Sequence, residues 1–362
     1  MKITLIAGAR PNFMKVAPII HAIDNARNRD IDITYRLIHT GQHYDQRMSD
    51  TFFEELGIPS PHANLGCGGG TQAEQTAAIM VAFEKELVSH PADLVIVVGD
   101  VTSTMACTIT AKKLQTKVAH VEAGIRSWDL TMPEEINRMV TDSIADYYFT
   151  TSEIANENLR HLGVDNDRIF FVGNVMIDTL LSNIERLRKP VEFDSLNLKD
   201  RRYVVLTMHR PANVDEVDKL KETISQIVHN VQGLPVIFPI HPRTANIFKG
   251  RGITADNLYI IPPQGYLEFN YLVKHALAVV TDSGGITEET TIMGIPCLTL
   301  RDNTERPETC TIGTNFLVGT DPNNIKPALD KLFAGQWRRG GIPEKWDGQS
   351  ARRIVDHLLK LR

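Results

Sequence analysis

Segments typical of buried β-strands alternate with segments typical of amphipathic helices, and this alternation limits the possible folds more than any other feature. Several strand candidates are apolar throughout, as expected of strands that are covered on both faces. Helical segments such as Gln72–Leu87 lie between them, so the first half predicts a parallel, doubly wound sheet. Its strand candidates are Ile3–Ala7, Thr34–Ile38, Leu94–Val98, Val118–Val121, Tyr147–Thr150 and Ile169–Val172.

A second series of the same kind follows a polar break. Ile184–Arg202 is charged and contains Pro190, and we interpret it as the connection between two domains. A length of 362 residues suits two domains. The segment Ala351–Leu361 is predicted to form a closing helix. The second series of strand candidates comprises Tyr203–Thr207, Val236–Pro239, Leu258–Ile261, Leu277–Thr281, Cys297–Leu300 and Asn315–Val318.

Charge and cysteine usage exclude several functional classes. The net charge is −5 and like charges form no long block, so neither a charged tail nor a nucleic-acid-binding surface is predicted. No targeting signal precedes the first strand and no apolar run approaches membrane-spanning length, so we expect a cytoplasmic protein. Four scattered cysteines form neither a zinc motif nor a redox pair; they are interpreted as reduced, structural thiols.

Two doubly wound domains side by side would leave a cleft lined by the carboxyl ends of both sheets, where such sheets bind ligands. The segment Gly8–Lys15 follows the first strand. Gly8 permits a tight turn, and Arg10 and Lys15 flank a helix start whose N–H groups and dipole favour anions. Solvated surface charges are an equally good interpretation of both side chains. The dinucleotide fingerprint G-x-G-x-x-G is absent here.

Thr281–Glu289 reads as a strand end, two glycines and the start of a helix. Gly284 and Gly285 allow backbone N–H groups to approach phosphate oxygens, and Ser283 adds a hydroxyl. Glu289 lies one turn beyond Gly285, where a carboxylate suits ribose hydroxyls. A plain strand-to-helix turn capped by Ser283 is the alternative. The position of Glu289 favours a nucleotide site.

Carboxylates follow strand ends in the first half. Asp100 follows Val98-Gly99, Glu122 follows another strand, and Glu134 and Glu135 open a helix after a proline. Each has a plain structural explanation, such as a helix cap for Asp100 or a favourable first-turn charge for the glutamates. Together they predict acidic groups that meet in one cleft, where crowding raises the pKa of some of them.

Cationic residues follow strand ends in the second half. His209-Arg210 and His241-Pro242-Arg243 each begin two residues after the end of a strand candidate. Two such His/Arg pairs at adjacent strand ends would suit a diphosphate. Arg306 lies in the segment after another strand; it can reach a ligand or pair with Glu308, and sequence does not choose between them.

In this order, the elements resemble the family of non-hydrolysing UDP-N-acetylglucosamine 2-epimerases over nearly the whole chain. The resemblance implies a glycosyltransferase-B-type fold, with UDP in the interdomain cleft. It also implies that residues 348–362 fold back onto a first domain of residues 1–187, with residues 188–347 as the second. The segments that carry the resemblance are Gly8–Lys15, Gly99-Asp100, His120–Arg126, Pro133–Arg138, Thr281–Glu289 and Thr304–Glu308.

The resemblance also implies roles for individual residues. The positions that match the family's catalytic residues are Asp100, Glu122, Glu134 and His209. Those that match its UDP-binding residues are Arg10, Lys15, Gln264, Phe269, Ser283, Gly284, Gly285, Glu289 and Arg306. Gln264 and Phe269 would hold the uracil. No metal and no redox cofactor is implied; the expected partners are a UDP-sugar and a second copy of the chain, with neither nucleic acid nor membrane.

Three departures from the family pattern limit what can be carried over. Asn12-Phe13 stand where the family often has Glu-Ala, and Pro211-Ala212 where it often has arginine and glutamate. Some bacterial members bind a second UDP-sugar as an activator through residues that include an arginine near Gly68–Gly70. No arginine occurs there, although Gln42-His43 match, so we do not expect this activation. The substituents of the sugar stay open.

The family's reaction, as the resemblance implies, expels UDP by anti elimination and adds it back to a 2-acetamidoglucal with inverted configuration at C2. A UDP-sugar glycosyltransferase of the same fold is the main alternative, but three candidate carboxylates exceed the single base that inverting transfer needs. A hydrolysing epimerase and a non-catalytic UDP-sugar sensor are the others. The complete set of charged residues at the strand ends disfavours a non-catalytic sensor.

Overall fold

A computed structural model describes residues 1–41, 53–210, 213, 216–240 and 255–361, without the side chains of Arg10 and Val217. Gln42-His43, Pro211-Ala212 and His241–Arg243, singled out above, lie outside the described residues, as does the Arg10 side chain. The chain divides into two compact units. Unit 1 comprises Met1–Ser182 and Glu344–Arg362, and unit 2 comprises Asn183–Pro343.

Unit 1 contains a seven-stranded sheet in the order β3-β2-β1-β4-β5-β6-β7, and its strand pairs are parallel. Its strands are β1 (Lys2–Ala7), β2 (Thr34–His39), β3 (Ala63–Asn64), β4 (Leu94–Val98), β5 (Lys117–Val121), β6 (Tyr147–Thr150) and β7 (Ile169–Phe171). Six of these strands match the predicted set. The two-residue strand β3 is too short to show a periodic pattern, and the sequence interpretation missed it.

The helices of unit 1 connect successive strands. They are α1 (Arg10–Arg27), α2 (Gln72–Ser89), α3 (Thr102–Lys113), α4 (Pro133–Ile144), α5 (Glu153–His161) and α6 (Val175–Asn183). Helix α2 begins where expected because Thr71 and Glu74 form a reciprocal capping box. Helix α6 ends one residue into unit 2.

The C-terminal segment also belongs to unit 1. Trp346 is buried and its Nε1 donates a hydrogen bond to the Thr151 carbonyl at 3.0 Å. Asp178 accepts hydrogen bonds from the backbone N–H groups of Ser350 and Ala351, which begin the closing helix. A side chain at Gly173 would place its Cβ 2.0 Å from the Lys345 carbonyl oxygen, so only glycine permits this close approach.

Unit 2 contains a six-stranded sheet in the order β10-β9-β8-β11-β12-β13, again paired in parallel. Its strands are β8 (Val204–Thr207), β9 (Val236–Pro239), β10 (Leu258–Ile261), β11 (Ala278–Thr281), β12 (Cys297–Thr299) and β13 (Asn315–Leu317). The remaining helices are α7 (Val191–Ser195), α8 (Val217–Asn230), α9 (Tyr266–His275), α10 (Gly284–Met293), α11 (Pro307–Thr311), α12 (Ile325–Phe333) and the unit 1 closing helix α13 (Ser350–Lys360).

The α/β fold class with two doubly wound parallel sheets is confirmed. In unit 1 the strand order reverses between β1 and β4, and in unit 2 it reverses between β8 and β11. Neighbouring helices diverge at such a switch point and leave a crevice beyond the carboxyl ends of the two strands. Among the residues that the structure describes, no helix is both long and apolar enough to cross a membrane.

Candidate active site

The turn after β1 is fixed by Asn12. Its side-chain oxygen accepts hydrogen bonds from the N–H groups of Gly8 and Ala9 at 3.1 and 2.9 Å, and its Nδ2 donates to the Val98 carbonyl at 3.2 Å. One amide therefore ties the turn after β1 to the end of β4. The family's more common glutamate cannot donate this last bond when ionised, so asparagine suits the place in a way that the sequence interpretation missed.

Lys15 and Glu122 meet beside this turn. The distance between Lys15 Nζ and Glu122 Oε2 is 2.6 Å, and both side chains are largely buried. Glu122 has a φ of 70°, a left-handed conformation that is uncommon for a residue with a side chain. A Cβ at Gly99 would lie 3.0 Å from Lys15 Nζ, so glycine leaves room for the lysine. A predicted UDP-binding residue and a predicted catalytic residue are thus brought together.

Asp100 is held from helix α4. Arg138 donates to the Asp100 carboxylate in a short hydrogen bond and to Glu135 at 2.7 Å, while Asn137 Nδ2 donates to the Asp100 carbonyl at 2.8 Å. Glu135 also accepts from the N–H groups of Ser127 and Trp128, at 3.0 and 3.1 Å. Buried Glu135 therefore has a structural role: it holds Arg138 and the backbone of Ser127 and Trp128 in place.

Glu134, the predicted catalytic neighbour of Glu135, lies half-buried in the first turn of the same helix. The structure places it three residues before Asn137, which binds Asp100, and on the helix that supplies Arg138. Helix α4 therefore carries Glu134 together with the two residues that bind Asp100.

Beneath this group lies a cluster of buried charges that the sequence interpretation missed. Asp142 Oδ1 is 2.7 Å from His120 Nδ1, and Asp142 Oδ2 is 2.7 Å from Arg126 Nη1; the three side chains are fully buried. Burial opposes ionisation of Asp142, but His120 and Arg126 outweigh it and lower the pKa of this carboxyl. The quoted segment His120–Arg126 contains two of the three residues, and their partner Asp142 comes from α4.

Both ring nitrogens of His120 face hydrogen-bond acceptors in this cluster. Its Nδ1 faces ionised Asp142 and its Nε2 lies 2.8 Å from the Gly99 carbonyl oxygen. Both partners only accept hydrogen bonds, so both ring nitrogens must donate. The histidine thereby holds the carbonyl of Gly99, the residue that precedes Asp100.

In unit 2 the polar groups gather where β8 and β11 end. Asp282 follows β11 and His209 follows β8, and the distance between Asp282 Oδ1 and His209 Nδ1 is 2.8 Å. Burial opposes the charge of Asp282, but hydrogen bonds with His209 and the backbone N–H of Arg210 lower its pKa to about 2. His209 was predicted as a site residue, whereas Asp282 was not.

The glycine turn after β11 has the predicted form. Helix α10 begins at Gly284 after Ser283, whose side chain makes no capping hydrogen bond among the described residues. A Cβ added at Gly285 would meet no described heavy atom within 4 Å, so open space adjoins the backbone there. This geometry favours the anion-binding interpretation of the turn over the plain capping one.

Glu289 is buried on α10 beside Tyr266 and Asn270 of α9. Asn270 Nδ2 donates to its carboxylate at 3.4 Å, and burial raises the pKa of Glu289 to about 7. Tyr266 lies between the predicted uracil-binding residues Gln264 and Phe269, and Asn270 follows Phe269 directly. Gln264 Nε2 donates to the Pro262 carbonyl at 2.9 Å, and Phe269 packs, partly buried, against a core cluster.

Arg306 has a partner that the sequence interpretation did not consider. Its Nε makes a short hydrogen bond with the buried Glu288 of α10, which precedes Glu289 in the chain. Burial raises the pKa of Glu308, the partner considered from sequence, to about 7. Arg301 pairs with Glu305 through two hydrogen bonds of 2.7 Å each. Within the described ranges, no group of three or more His, Cys, Asp or Glu side chains is arranged to hold a metal ion.

Comparisons with known proteins give the same assignment. A family profile described as UDP-N-acetylglucosamine 2-epimerase matches residues 25–359. The chain is 41% identical to a UDP-N-acetylglucosamine 2-epimerase of Methanocaldococcus jannaschii, over 98% of each chain. It is 36% identical to a UDP-2,3-diacetamido-2,3-dideoxy-D-glucuronate 2-epimerase of Pseudomonas aeruginosa, over the full length of both.

A solved structure extends the likeness to three dimensions. The crystal structure of the M. jannaschii UDP-GlcNAc 2-epimerase in complex with UDP-GlcNAc and UDP superposes with a TM-score of 0.89 at 40% identity. The match covers 99% of this chain and 100% of that one. Because the profile and the relatives cover nearly all of both units, the chain belongs to the UDP-N-acetylglucosamine 2-epimerase family.

Proposed function

We propose that this protein interconverts UDP-N-acetylglucosamine and UDP-N-acetylmannosamine by reversible epimerisation at C2, without hydrolysis and without a cofactor. The proposal rests on two sets of polar residues, one at the switch point of each sheet. At the switch point of unit 1 lie Asp100 and Glu122, with Lys15 beside Glu122; at the switch point of unit 2 lies His209, next to a glycine turn. The family assignment supports the same substrate.

The chemistry explains why such groups are needed. The hydrogen at C2 is not adjacent to a carbonyl, so direct removal of a proton from C2 would be very slow. Anti elimination of UDP instead forms a 2-acetamidoglucal, and UDP then adds back with the opposite configuration at C2. The enzyme therefore has to stabilise a departing diphosphate and move a proton at C2, and each task requires its own residues.

Departure of UDP is assisted by cations and by the glycine turn. Lys15, His209 and Arg306, together with Arg10, neutralise the charge that develops on the diphosphate. The N–H groups of Gly284 and Gly285 and the Ser283 hydroxyl bind phosphate oxygens. The pairing of Arg306 with Glu288 orients its guanidinium while leaving less net charge for the ligand.

Proton transfer and charge stabilisation at the sugar are assigned to the carboxylates Asp100, Glu122 and Glu134. The ion pairs of Asp100 with Arg138 and of Glu122 with Lys15 fix the two groups before substrate arrives. Such fixed partners reduce the rearrangement that the transition state would otherwise require. Gln264 and Phe269 are assigned to the uracil and Glu289 to the ribose.

A modified N-acetylated UDP-sugar is a second candidate substrate. The P. aeruginosa relative, whose name describes a 2-epimerase of a diacetamido glucuronate, matches this chain over its full length. Elimination at C2 is independent of the substituents at C3 and C6, so the same residues could serve either sugar. A direct comparison of the two UDP-sugars as substrates decides between them.

We further propose that the protein is a cytoplasmic homodimer whose domains are residues 1–187 with 348–362, and residues 188–347; the compact units divide a few residues earlier, after Ser182 and after Pro343. The family assignment supports these expectations. Light scattering coupled to size-exclusion chromatography measures the mass in solution. A mass near 40.5 kDa, the mass of a single chain, would contradict the dimer.

The activity is tested by proton NMR in D₂O with EDTA present. Epimerisation predicts that UDP-N-acetylmannosamine appears with deuterium at C2 while UDP stays attached in both sugars. Free N-acetylmannosamine with released UDP would instead indicate a hydrolysing enzyme, and transfer of the sugar to an added acceptor would indicate a glycosyltransferase. Asp302→Asn changes an exposed carboxylate in unit 2, which binds Thr320, and serves as the control variant.

A further inference from the structure

The carboxylate of Asp282 lies where the paired strands β8 and β11 end, and it contacts the side chain of His209. The two strands run in parallel with Thr207 opposite Thr281, and the hydroxyl oxygens of these threonines are 2.6 Å apart. Asp282 directly follows Thr281, and His209 lies two residues beyond Thr207, so the paired strand ends bring these two side chains together. This position is the switch point of the unit 2 sheet, where doubly wound sheets bind their ligands.

Asp282 is fully buried and surrounded by donors. It accepts hydrogen bonds from the backbone N–H groups of His209 and Arg210, at 3.0 and 2.9 Å, and from Asn213 Nδ2 at 3.2 Å. Asn213 also donates to the Leu300 carbonyl at 3.1 Å, which anchors this arrangement to the end of a third strand. A carboxylate with this many donors is ionised and cannot rotate freely.

The His209 ring has the opposite character. Its Nδ1 lies 2.8 Å from Asp282, while 63% of the side chain is exposed. Because ionised Asp282 only accepts hydrogen bonds, Nδ1 must carry a hydrogen atom. The nitrogen that remains for a ligand is Nε2.

We infer that Asp282 is a positioning residue for His209: it keeps a hydrogen on Nδ1 and fixes the ring plane, so that Nε2 is the nitrogen that faces the bound UDP-sugar. This inference rests on the proposed function for its catalytic part. The hydrogen bond between Asp282 and Nδ1 sets both the tautomer and the orientation of the ring. Asp282 itself touches neither the substrate nor the reacting atoms.

The side chains of two described arginines in this part of unit 2 lie against Glu305. Arg210 Nη2 is 3.7 Å from Glu305, which also accepts two hydrogen bonds of 2.7 Å from Arg301. Among the described residues, Asp282 is the charged side chain that contacts the imidazole. Its replacement is therefore expected to act directly on the ring.

The first test is the tautomer of His209 in the wild-type protein, which requires neither activity nor an altered aspartate. In ¹⁵N-histidine-labelled protein, the His209 signals are identified by their loss in His209→Gln. The inference predicts that the neutral ring carries its hydrogen on Nδ1. A neutral ring with its hydrogen on Nε2 would overturn the inference, whatever the enzyme's activity.

The second test is kinetic and uses Asp282→Asn with Asp302→Asn as a matched control. We expect kcat to fall by about 10- to 100-fold while UDP affinity stays within a few-fold. The control, an exposed aspartate that binds Thr320, should leave both unchanged. A UDP affinity that falls as far as kcat would show a merely structural role and refute the inference.

The double variant His209→Gln/Asp282→Asn distinguishes an effect of Asp282 that acts through His209 from one that is independent of it. If Asp282 acts through His209, the double variant is no slower than His209→Gln alone, because residues that act as a unit are not additive. Independent, multiplying losses would refute the inference but leave the proposed epimerase function intact. If wild-type protein epimerises no UDP-sugar, the proposed function fails, and the tautomer measurement still tests the Asp282–His209 pair.

Discussion

Replacement of Asp142 by asparagine tests the buried charge cluster that supports the site in unit 1. The substitution keeps the shape of the side chain but removes the negative charge that lies 2.7 Å from both His120 and Arg126. It also replaces one acceptor oxygen with an NH₂ group, which must then face a donor: His120, Arg126 or the Gly124 N–H. Two buried cations would be left without their common counter-ion.

Removing one partner of a buried ion pair typically costs about 3–5 kcal/mol. We expect a loss of this size in the free energy of unfolding of unit 1, because the three side chains are fully buried. The melting temperature of a unit of this size falls by about 2–4 °C for each kcal/mol lost, so we expect it to be lower by roughly 6–20 °C. Asp146→Asn is the matched control, since Asp146 pairs with Lys112 near the surface and should cost about 1 kcal/mol or less.

The assay must report on unit 1 alone, because the units can unfold separately. Trp346 is buried in unit 1 and Trp128 is exposed there, whereas Trp337 lies in unit 2. Urea unfolding followed by tryptophan fluorescence in a Trp337→Phe background therefore follows the relevant transition. The Asp142→Asn variant and the Asp146→Asn control both carry Trp337→Phe, so the effect of that substitution cancels in the comparison.

The pH dependence gives an independent check on the same reasoning. The folded-state pKa of Asp142 lies below its ordinary value of 3.8, so its stabilising contribution is present above that value and lost as pH falls through the folded-state pKa. The difference in the free energy of unfolding between wild type and Asp142→Asn should therefore become smaller at acidic pH.

A second check uses His120→Gln. This substitution should destabilise the wild-type protein but restore part of the stability of Asp142→Asn. A loss below about 1 kcal/mol, or no such rescue, would refute the cluster's role.

Three further predictions concern the site itself. Asp100→Asn should lower turnover by about 10²-fold or more while UDP affinity stays within a few-fold; near-normal turnover would contradict its catalytic role. Burial raises the pKa of Glu289 to about 7, so if the ionised carboxylate binds ribose, UDP affinity measured by calorimetry should rise with pH up to about 7 and then level off. Glu289→Gln should abolish this slope, and an unchanged slope would assign it to another group. Gly285→Ala fits the free protein, which offers open space there, but should weaken UDP binding about tenfold or more if phosphate lies against the backbone; Gly341→Ala, which meets only ordinary contacts, is its control.

Much of the architecture was predictable from local patterns in the sequence. Strands covered on both faces are apolar throughout, and this pattern located all but the two-residue strand β3. Turn residues mark where parallel strands end, so Gly8, Gly99 and Gly284-Gly285 also marked the candidate site. The residue types suited to each task, carboxylates in the first half and cations in the second, were visible for the same reason.

The partners of those residues were decided by tertiary structure. Lys15 and Glu122 are 107 positions apart, and His209 and Asp282 are 73 positions apart. Strand order determines which strand ends are neighbours, and periodicity within a strand carries no information about that order. The sequence interpretation therefore identified His209 without Asp282. It also weighed Glu308 as a partner of Arg306 without Glu288, which the structure adds.

The protonation states also depend on the fold. Asp142 and Glu289 are both buried carboxyl groups, yet the pKa of Asp142 is lowered and that of Glu289 is raised to about 7. The difference arises because two cations contact Asp142, while Glu289 has Tyr266, Asn270 and the neighbouring Glu288 around it. Sequence alone identified the candidate residues for the chemistry of this protein. The folded chain decided their charge, because charge depends on burial and on partners that are distant in the sequence.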